Sequence, residues 1–122
     1  MERVVGIGGV FFRARDPERL RTWYAEHLGV EVQDWGGDAF VAESGDQTVW
    51  CIFSSSSEYW PRKQSSMVNY RVRDLDAMVA QLRETGARVD DKMEEEENGW
   101  FAWGYDPEGN RFELWQPRSE PS

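Results

Sequence analysis

Apolar and polar residues alternate near the end of the chain. Phe112 and Leu114 fall on one face of this pattern, and the other face carries Arg111, Glu113 and Trp115. The Asp-Pro-Glu-Gly-Asn sequence immediately before it combines a proline with residues that accept a positive φ. The pattern therefore predicts a turn followed by a strand with one core face and one polar-aromatic face. A carboxylate in the middle of such a strand is exposed, paired with a base, or directed into a site.

Two other segments carry apolar residues at helical spacing. The first helix is predicted to begin after Asp16 and to end at Gly29, because aspartate is a favoured N-cap and glycine a favoured stop. The second is predicted between Asp74 and Gly86 for the same reasons. His27, the only histidine, falls next to the end of the first helix. We expect it to interact with the helix dipole at the surface and not to bind a metal.

Short apolar runs separated by turn residues predict strands on both sides of each helix. In the first half these runs cover 4–14, 30–33, 39–43 and 48–53. In the second half they cover 67–73, 87–90, 100–105 and 111–116, with a tight hairpin at Asn-Gly 98–99. The acidic run 94–97 is predicted to be a solvated edge or loop. The serine-rich segment 54–66 has no periodicity and is either a linker or a loop over a cleft.

The plan of the first half is repeated in the second. The sequence Arg-x-Arg-Asp occurs at 13–16 and again at 71–74, in each case directly before a predicted helix. We therefore predict an α+β chain of two βαβββ modules that form a curved, partly open mixed sheet. The predicted boundaries are a first module at 1–53, a linker loop at 54–66, a second module at 67–117 and a loose tail at 118–122.

Charge and composition narrow the classes of partner. The chain has 23 Asp and Glu against 14 Lys and Arg, which gives a net charge of -9. This charge disfavours binding of nucleic acid and anionic membranes and favours cationic ligands. The alternative explanation is that the charge only keeps the protein soluble. The single cysteine, Cys51, excludes a disulfide framework and is expected to be a buried, inert thiol. No long apolar run indicates a signal peptide or membrane span, so a cytoplasmic protein is predicted. Seven tryptophans in 122 residues indicate an aromatic-lined cleft or an interface.

These motifs resemble those of the vicinal oxygen chelate superfamily, which includes glyoxalases, bleomycin-resistance proteins, fosfomycin-resistance enzymes and extradiol dioxygenases. The resemblance rests on the R-x-R-D run that continues through Trp-Tyr to Leu28-Gly29, on the second R-V-R-D-L-D at 71–76, and on the D-P-E-G-N-R-F-E-L turn and strand at 106–114. It implies the glyoxalase/bleomycin-resistance fold and a homodimer, in which the trough is often built across chains. It says little about activity, since this fold hosts many chemistries.

The resemblance also implies where a metal would be held in the enzymes of this superfamily. The four ligand positions correspond here to Gly9, Met67, Glu113 and either Val49 or Trp50. Of these only Glu113 is a metal ligand by type, whereas a catalytic Zn²⁺ or Fe²⁺ needs about three protein ligands. No metal or other cofactor is therefore predicted, and Glu113 is the only retained candidate ligand.

Strand alternation predicts which side chains line the trough. Val10, Phe12, Ala14, Val68, Tyr70 and Val72 are expected to pack under the helices, and the alternate residues are expected to face the trough. With the tryptophans expected nearby, the predicted ligand-binding residues are Phe11, Arg13, Trp35, Trp50, Trp60, Met67, Asn69, Arg71, Trp103, Arg111, Glu113 and Trp115. The competing interpretation is structural: an ion pair between Glu113 and Arg13 or Arg71 with no ligand role.

Three functions remain open from the sequence. The first is a metal-free protein that binds a small molecule, for example a cationic aromatic one, in an aromatic trough. The second is a lyase, isomerase or other glyoxalase-type enzyme that uses Glu113 as a general base, with or without a divalent metal. The third is a structural or regulatory protein whose aromatic residues form an interface.

Overall fold

The computed structural model describes residues 1–3, 7 and 9–118. Most of the predicted tail, residues 119–122, and part of the first predicted strand lie outside the described residues. The described chain contains two helices and five strands: α1 Pro17–Leu28, β1 Val68–Arg71, α2 Leu75–Glu84, β2 Arg88–Val89, β3 Glu94–Glu96, β4 Gly99–Tyr105 and β5 Arg111–Pro117. Neither helix is long and apolar enough to cross a membrane.

The five strands form one mixed sheet. Its order is β1-β5-β4-β2, and β3 also pairs with β4. β1 runs parallel to β5, whereas β4 pairs antiparallel with β2, β3 and β5. The predicted α+β class with a mixed, open sheet is confirmed.

Helix α2 covers one face of this sheet and forms the core with it. Leu75, Val79 and Leu82 from the helix pack against residues of β4 and β5, among them Phe112 and Leu114. All five side chains are 3% exposed or less. The predicted strand alternation is thus correct for β5, and Arg111, Glu113 and Trp115 lie on the opposite face.

Both predicted helices form, and their ends follow the capping residues. Asp16 accepts a hydrogen bond from Arg19 N at 3.1 Å, and Asp74 accepts one from Ala77 N at 3.0 Å. Helix α1 is followed by Gly29 at φ 71°, and Gly86 at φ 80° follows the end of α2. His27 lies in the last turn of α1, as expected, and its Nδ1 is 2.7 Å from the Thr85 hydroxyl.

The predicted turn at 106–110 links α1 to the sheet. Asp106 is 4% exposed and accepts hydrogen bonds from the backbone amides of Glu108 and Asn110. Its other oxygen accepts from the Tyr24 hydroxyl of α1 at 3.0 Å. Burial, together with the nearby Tyr70 and Asp106, raises the pKa of Tyr24, so this hydroxyl remains protonated and donates.

A tight hairpin joins β3 to β4 as predicted, but its turn residues are 97–98 and Gly99 is the first residue of β4. Glu96 pairs with Gly99 across it, so the acidic run forms an edge strand. Gly99 has φ 136°, and a Cβ added there would lie 2.2 Å from the backbone oxygen of Gln116. This position therefore requires glycine for both its backbone conformation and its contact with β5.

Among the described residues, the strands predicted in the first half are not formed. The described residues before Val68 contain no strand, and between the described residues of 39–53 the only backbone hydrogen bond is a turn, from Asp46 N to Glu43 O. Val10 at 57% and Phe12 at 53%, which were expected to pack under the helices, are exposed. Other apolar side chains of the predicted strands are exposed as well, including Phe11 at 94%, Val41 at 92% and Ile52 at 77%. Cys51, expected to be buried, is exposed as well. The physical reason is that a strand needs a neighbouring strand and a packed face, and these segments have neither within the described chain.

Candidate functional site

Three neutral donors surround Glu113 on the face of the sheet opposite the core. Its Oε2 accepts hydrogen bonds from the Tyr59 hydroxyl at 2.5 Å and from Trp103 Nε1 at 2.9 Å. Its Oε1 accepts one from Asn69 Nδ2 at 2.7 Å. We call Tyr59, Asn69, Trp103 and Glu113 the Glu113 cluster.

Strand pairing brings three members of this cluster together. Asn69 of β1 and Trp103 of β4 are both register partners of Glu113 on β5. Residues paired across strands point to the same face, so the three side chains form one row across the sheet. Tyr59 reaches this row from the serine-rich segment. Burial and its hydrogen bond to Glu113 raise the pKa of Tyr59, so its hydroxyl remains a donor.

The charge of Glu113 has no cationic partner within the described part of the chain. The competing interpretation, an ion pair with Arg13 or Arg71, is not what these residues form. Arg71 binds the backbone oxygen of Gln47 at 2.6 Å and Asp46 Oδ2 at 3.4 Å, and Arg13 is exposed. Neutral donors stabilise a carboxylate without cancelling its charge, so the site keeps its attraction for a cation.

The serine-rich segment lies against this face of the sheet. The Gln64 side chain accepts from Arg111 N at 2.8 Å and donates to Arg111 O at 2.7 Å, which extends the hydrogen bonding of β5. Trp60 Nε1 donates to the backbone oxygen of Gln64 at 3.0 Å. The Tyr59 ring meets Trp103 edge-on, with ring centroids 6.1 Å apart. Of the two predicted roles, linker or loop over a cleft, these contacts favour the loop.

A cleft of about 600 Å³ opens beside the Glu113 cluster. It lies between the serine-rich segment and the strand ends at the β4–β5 turn. Its walls are Glu58, Tyr59, Trp60, Pro61, Arg62, Tyr105 and Arg111. Tyr59 belongs to both the cleft and the cluster, so the two are adjacent.

The structure brings together some of the predicted site residues. Asn69, Trp103 and Glu113 form the cluster, and Trp60 and Arg111 line the cleft. Trp115 is buried, stacks on Phe101 and donates to the backbone oxygen of Asn98. The remaining predicted residues do not join the site. Met67 is half-buried just before β1, Arg13 and Arg71 are exposed, and so are Phe11, Trp35 and Trp50.

Tyr59 and Gln64 are site residues that the sequence analysis did not assign. Both lie in a segment without periodicity, so no pattern shows which of its residues face the sheet. The one available signal is chemical: Tyr59 and Trp60 are large aromatic residues inside a polar, serine-rich stretch. Such residues are out of character for a flexible spacer.

The donors around Glu113 do not fit a catalytic metal ion. Its neighbours are a phenol, an amide and an indole, none of which supplies a second strong ligand. Among the described residues, no group of three His, Cys, Asp or Glu side chains could hold a metal ion. His27 lies on α1 beside Thr85 and takes no part in the cluster.

Comparison with known families identifies the relatives of this fold. A family model described as a glyoxalase-like domain matches residues 9–115. The chain belongs to this family. The resemblance to the glyoxalase/bleomycin-resistance superfamily is therefore confirmed, and the match includes the first-half segments in which the described chain has no strands.

Solved structures of the same fold differ in function. TnmS3, an antibiotic binding protein from Streptomyces sp. CB03234, is 26% identical, with a TM-score of 0.56 over 85% of this chain and 88% of that one. A glyoxylase/bleomycin resistance protein/dioxygenase domain from Frankia sp. EAN1pec is 19% identical, with a TM-score of 0.62 over 98% and 96%. A lactoylglutathione lyase from Agrobacterium tumefaciens is 14% identical, with a TM-score of 0.59 over 94% and 96%. A search of the curated proteins found no significant match.

Proposed function

We propose that this glyoxalase-like protein binds a small aromatic molecule that places a cationic or hydrogen-bond-donating group on Glu113, without a catalytic metal. The observation that carries this proposal is a carboxylate without a cationic partner, half-buried among aromatic rings beside an open cleft. The similarity to TnmS3, an antibiotic binding protein, supports it. Aromatic rings provide stacking surfaces for planar ligands and favourable faces for cations.

Glu113 has room for one further donor. Each carboxylate oxygen can accept about two hydrogen bonds. Oε2 already accepts from Tyr59 and Trp103, whereas Oε1 accepts only from Asn69, whose side chain is exposed. A ligand ammonium or hydroxyl would therefore approach Oε1 from the Asn69 side.

Intrinsic fluorescence provides a direct test, since the Trp103 indole is bonded to Glu113. Titration with bleomycin-like and other cationic aromatic compounds is expected to change tryptophan emission in a saturable manner. Glu113→Gln keeps the shape but removes the charge, and it is expected to weaken binding about tenfold or more. Glu96→Gln removes the same charge from the exposed edge strand β3 and is the matched control.

Two results would contradict this proposal. One is wild-type emission that does not change at high micromolar concentrations of these compounds. The other is equal binding by wild-type protein and Glu113→Gln, which would place the ligand elsewhere.

We also propose that the protein is a homodimer of two-module chains, with the unpaired first-half segments covered by a second copy. The accessible surface is 9729 Å², whereas a compact monomer of 14.2 kDa is expected to expose only about 6,800 Å². The excess of roughly 3,000 Å² per chain, about 6,000 Å² for two copies, reaches the upper end of the total area that obligate dimers bury. The segments 9–14 and 48–53 repeat the plan of the second half, and β1 is an edge strand that offers backbone groups for pairing.

Sedimentation velocity tests the dimer. The wild-type protein is expected to sediment as two chains, and Ile52→Glu is expected to shift it towards one chain because a charge would enter the interface. Gln33→Glu, at another exposed first-half position, serves as the control. A wild-type protein that remains a single chain at high micromolar concentration would disprove the dimer.

The enzyme alternative is tested separately. Metal analysis of the purified protein and an assay on the hemithioacetal of glutathione distinguish a glyoxalase-type lyase from a binding protein. The lyase neighbour shares the fold at 14% identity and carries no argument for activity. Stoichiometric zinc or nickel together with turnover would replace the binding proposal with the enzyme.

A further inference from the structure

The cleft beside the Glu113 cluster contains a guanidinium group that is only partly used. Arg111 Nη1 donates to Asp90 Oδ2 at 2.7 Å and to the Tyr105 hydroxyl at 3.2 Å. No hydrogen bond joins its Nε or Nη2 to any described residue, and Nε is buried. One edge of the guanidinium is thus engaged, and the Nε–Nη2 edge has no acceptor.

An unpartnered guanidinium edge is unusual next to a cleft. A buried donor without a partner is destabilising, so an acceptor that reaches it relieves this cost. The Nε–Nη2 fork of arginine matches the two oxygens of a carboxylate. Because Nε has no exposed surface, an acceptor would meet Nη2 first and reach Nε after a small shift of the surrounding side chains.

The charges and rings around Arg111 also suit an anionic aromatic group. Arg62 lines the same cleft and adds a second positive charge, opposed there by Glu58. The Arg111 guanidinium carbon lies 5.5 Å from the ring centroids of both Trp103 and Tyr105, which fixes it among aromatic surfaces. With Asp90 paired to Arg111, the two positive and two negative charges here balance, whereas the whole chain has a net charge of -9.

Arg111 and Glu113 lie on the same face of β5, two residues apart. The Cα atoms of two residues in these positions of a strand are about 7 Å apart. From this spacing we infer that the ligand is a planar aromatic ampholyte, with an acidic group on Arg111 and a donor or cationic group on Glu113 about 7 Å away. This inference rests on the proposed function and adds the acidic group to it.

A matched set of three probes tests the acidic group by isothermal titration calorimetry. The zwitterion 4-(aminomethyl)benzoate carries both groups, its methyl ester carries only the cation, and 4-methylbenzoate carries only the acid. The zwitterion is expected to bind at least about tenfold more tightly than the ester, which corresponds to one charge-assisted bidentate contact. The overall negative charge of the protein would favour the ester instead, so the net charge cannot produce this preference.

Two variants assign the preference to Arg111. Arg111→Gln is expected to abolish the advantage of the zwitterion over the ester, and Arg118→Gln, a remote change of equal charge, is expected to leave the advantage intact. Asp90→Asn releases Arg111 from its competing carboxylate, so the advantage is expected to increase severalfold. An increase cannot result from misfolding, so the assignment remains testable even if Arg111→Gln does not fold.

The outcomes separate this inference from the proposed function. If the ester binds as tightly as the zwitterion and its binding depends on Glu113, the acidic subsite is overturned. The proposed function then remains in place. A zwitterion advantage that persists in Arg111→Gln would also overturn the subsite. If none of the probes binds at millimolar concentration, the subsite is rejected, and the titration with larger cationic aromatics decides the proposed function alone.

Discussion

The two halves of this chain carry the same sequence plan but have different structures. The second half forms α2 and all five strands, whereas the described residues of the first half form only α1. A helix satisfies its backbone hydrogen bonds within its own segment, whereas a strand needs another strand beside it. The comparison shows that the repeated pattern is sufficient for the helix in each half, and that the strands form only where neighbours are present.

Contacts with the second half hold α1 in place. Tyr24 is bonded to the buried Asp106, and the Gln81 side chain of α2 donates to the backbone oxygen of His27. Glu108 accepts from the backbone amides of Arg15 and Asp16. The first-half segments 39–42 and 48–52 have no comparable set of anchoring contacts. Stability is therefore expected to depend strongly on the second half and only weakly on these segments of the first.

Truncation of one phenylalanine in each half tests this expectation most strongly. Phe112→Ala is expected to lower the free energy of unfolding by about 3–5 kcal/mol, because its side chain is 1% exposed. Phe40→Ala, at 72% exposure, is expected to change it by less than about 0.5 kcal/mol. Urea denaturation at concentrations where sedimentation shows a single chain measures both. If the two variants lose the same free energy of unfolding, the first half has a core of its own.

Two glycines with positive φ provide a second comparison. Gly99→Ala is expected to lower the free energy of unfolding by roughly 3 kcal/mol or more. The backbone strain at positive φ adds to the steric clash of a Cβ placed 2.2 Å from the Gln116 oxygen. Gly45 has φ 91° with nothing within 4 Å of an added Cβ, so Gly45→Ala is expected to cost only about 1 kcal/mol. Thermal and urea unfolding of the two variants measure the difference. If Gly45→Ala lowers the free energy of unfolding as much as Gly99→Ala does, residue 45 is packed by contacts that the single chain lacks.

The features that could be predicted from the sequence are local ones, and those that could not depend on long-range contacts. Caps, stops and turns were predictable at Asp16, Gly29 and the 106–110 turn because local chemistry determines them. The face of Glu113 was predictable from alternation in β5. The hydrogen-bond partners of Glu113 were not predictable. The sequence suggested Arg13 or Arg71, but neutral donors surround the carboxylate. One of them, Tyr59, comes from a segment without periodicity. Long-range pairing of that kind leaves no local pattern.

The contact between Tyr24 and Asp106 is a buried polar link between the halves. Tyr24→Phe is expected to lower the free energy of unfolding by about 1.5–3 kcal/mol, the range for hydrogen bonds to charged groups. A double-mutant cycle with Asp106→Asn isolates the coupling, since Asp106 also stabilises its own turn. A coupling energy near zero would mean that α1 is held in place by its apolar contacts alone.

Glu108 makes the weaker, pH-dependent link. Hydrogen bonds from the backbone amides of Arg15 and Asp16 lower the pKa of this carboxyl below its ordinary value of 4.5. A carboxyl with a lowered pKa in the folded state stabilises that state fully above the ordinary pKa. This stabilisation is lost as the pH falls from about 4.5 through the lowered pKa. The helix start at Asp16 should therefore loosen in acid before the sheet does.

Hydrogen exchange at low pH distinguishes this loosening from general acid unfolding. The amides of residues 15, 16, 18 and 19 are expected to lose protection before those of β4 and β5, and Glu108→Gln is expected to show this loss already at neutral pH. Glu26→Gln removes an exposed charge from α1 without affecting those two hydrogen bonds, so it should retain the wild-type pH dependence. If Glu108→Gln and Glu26→Gln behave alike, the effect is one of net charge, and the first half is attached to the second at Tyr24 and not at Glu108.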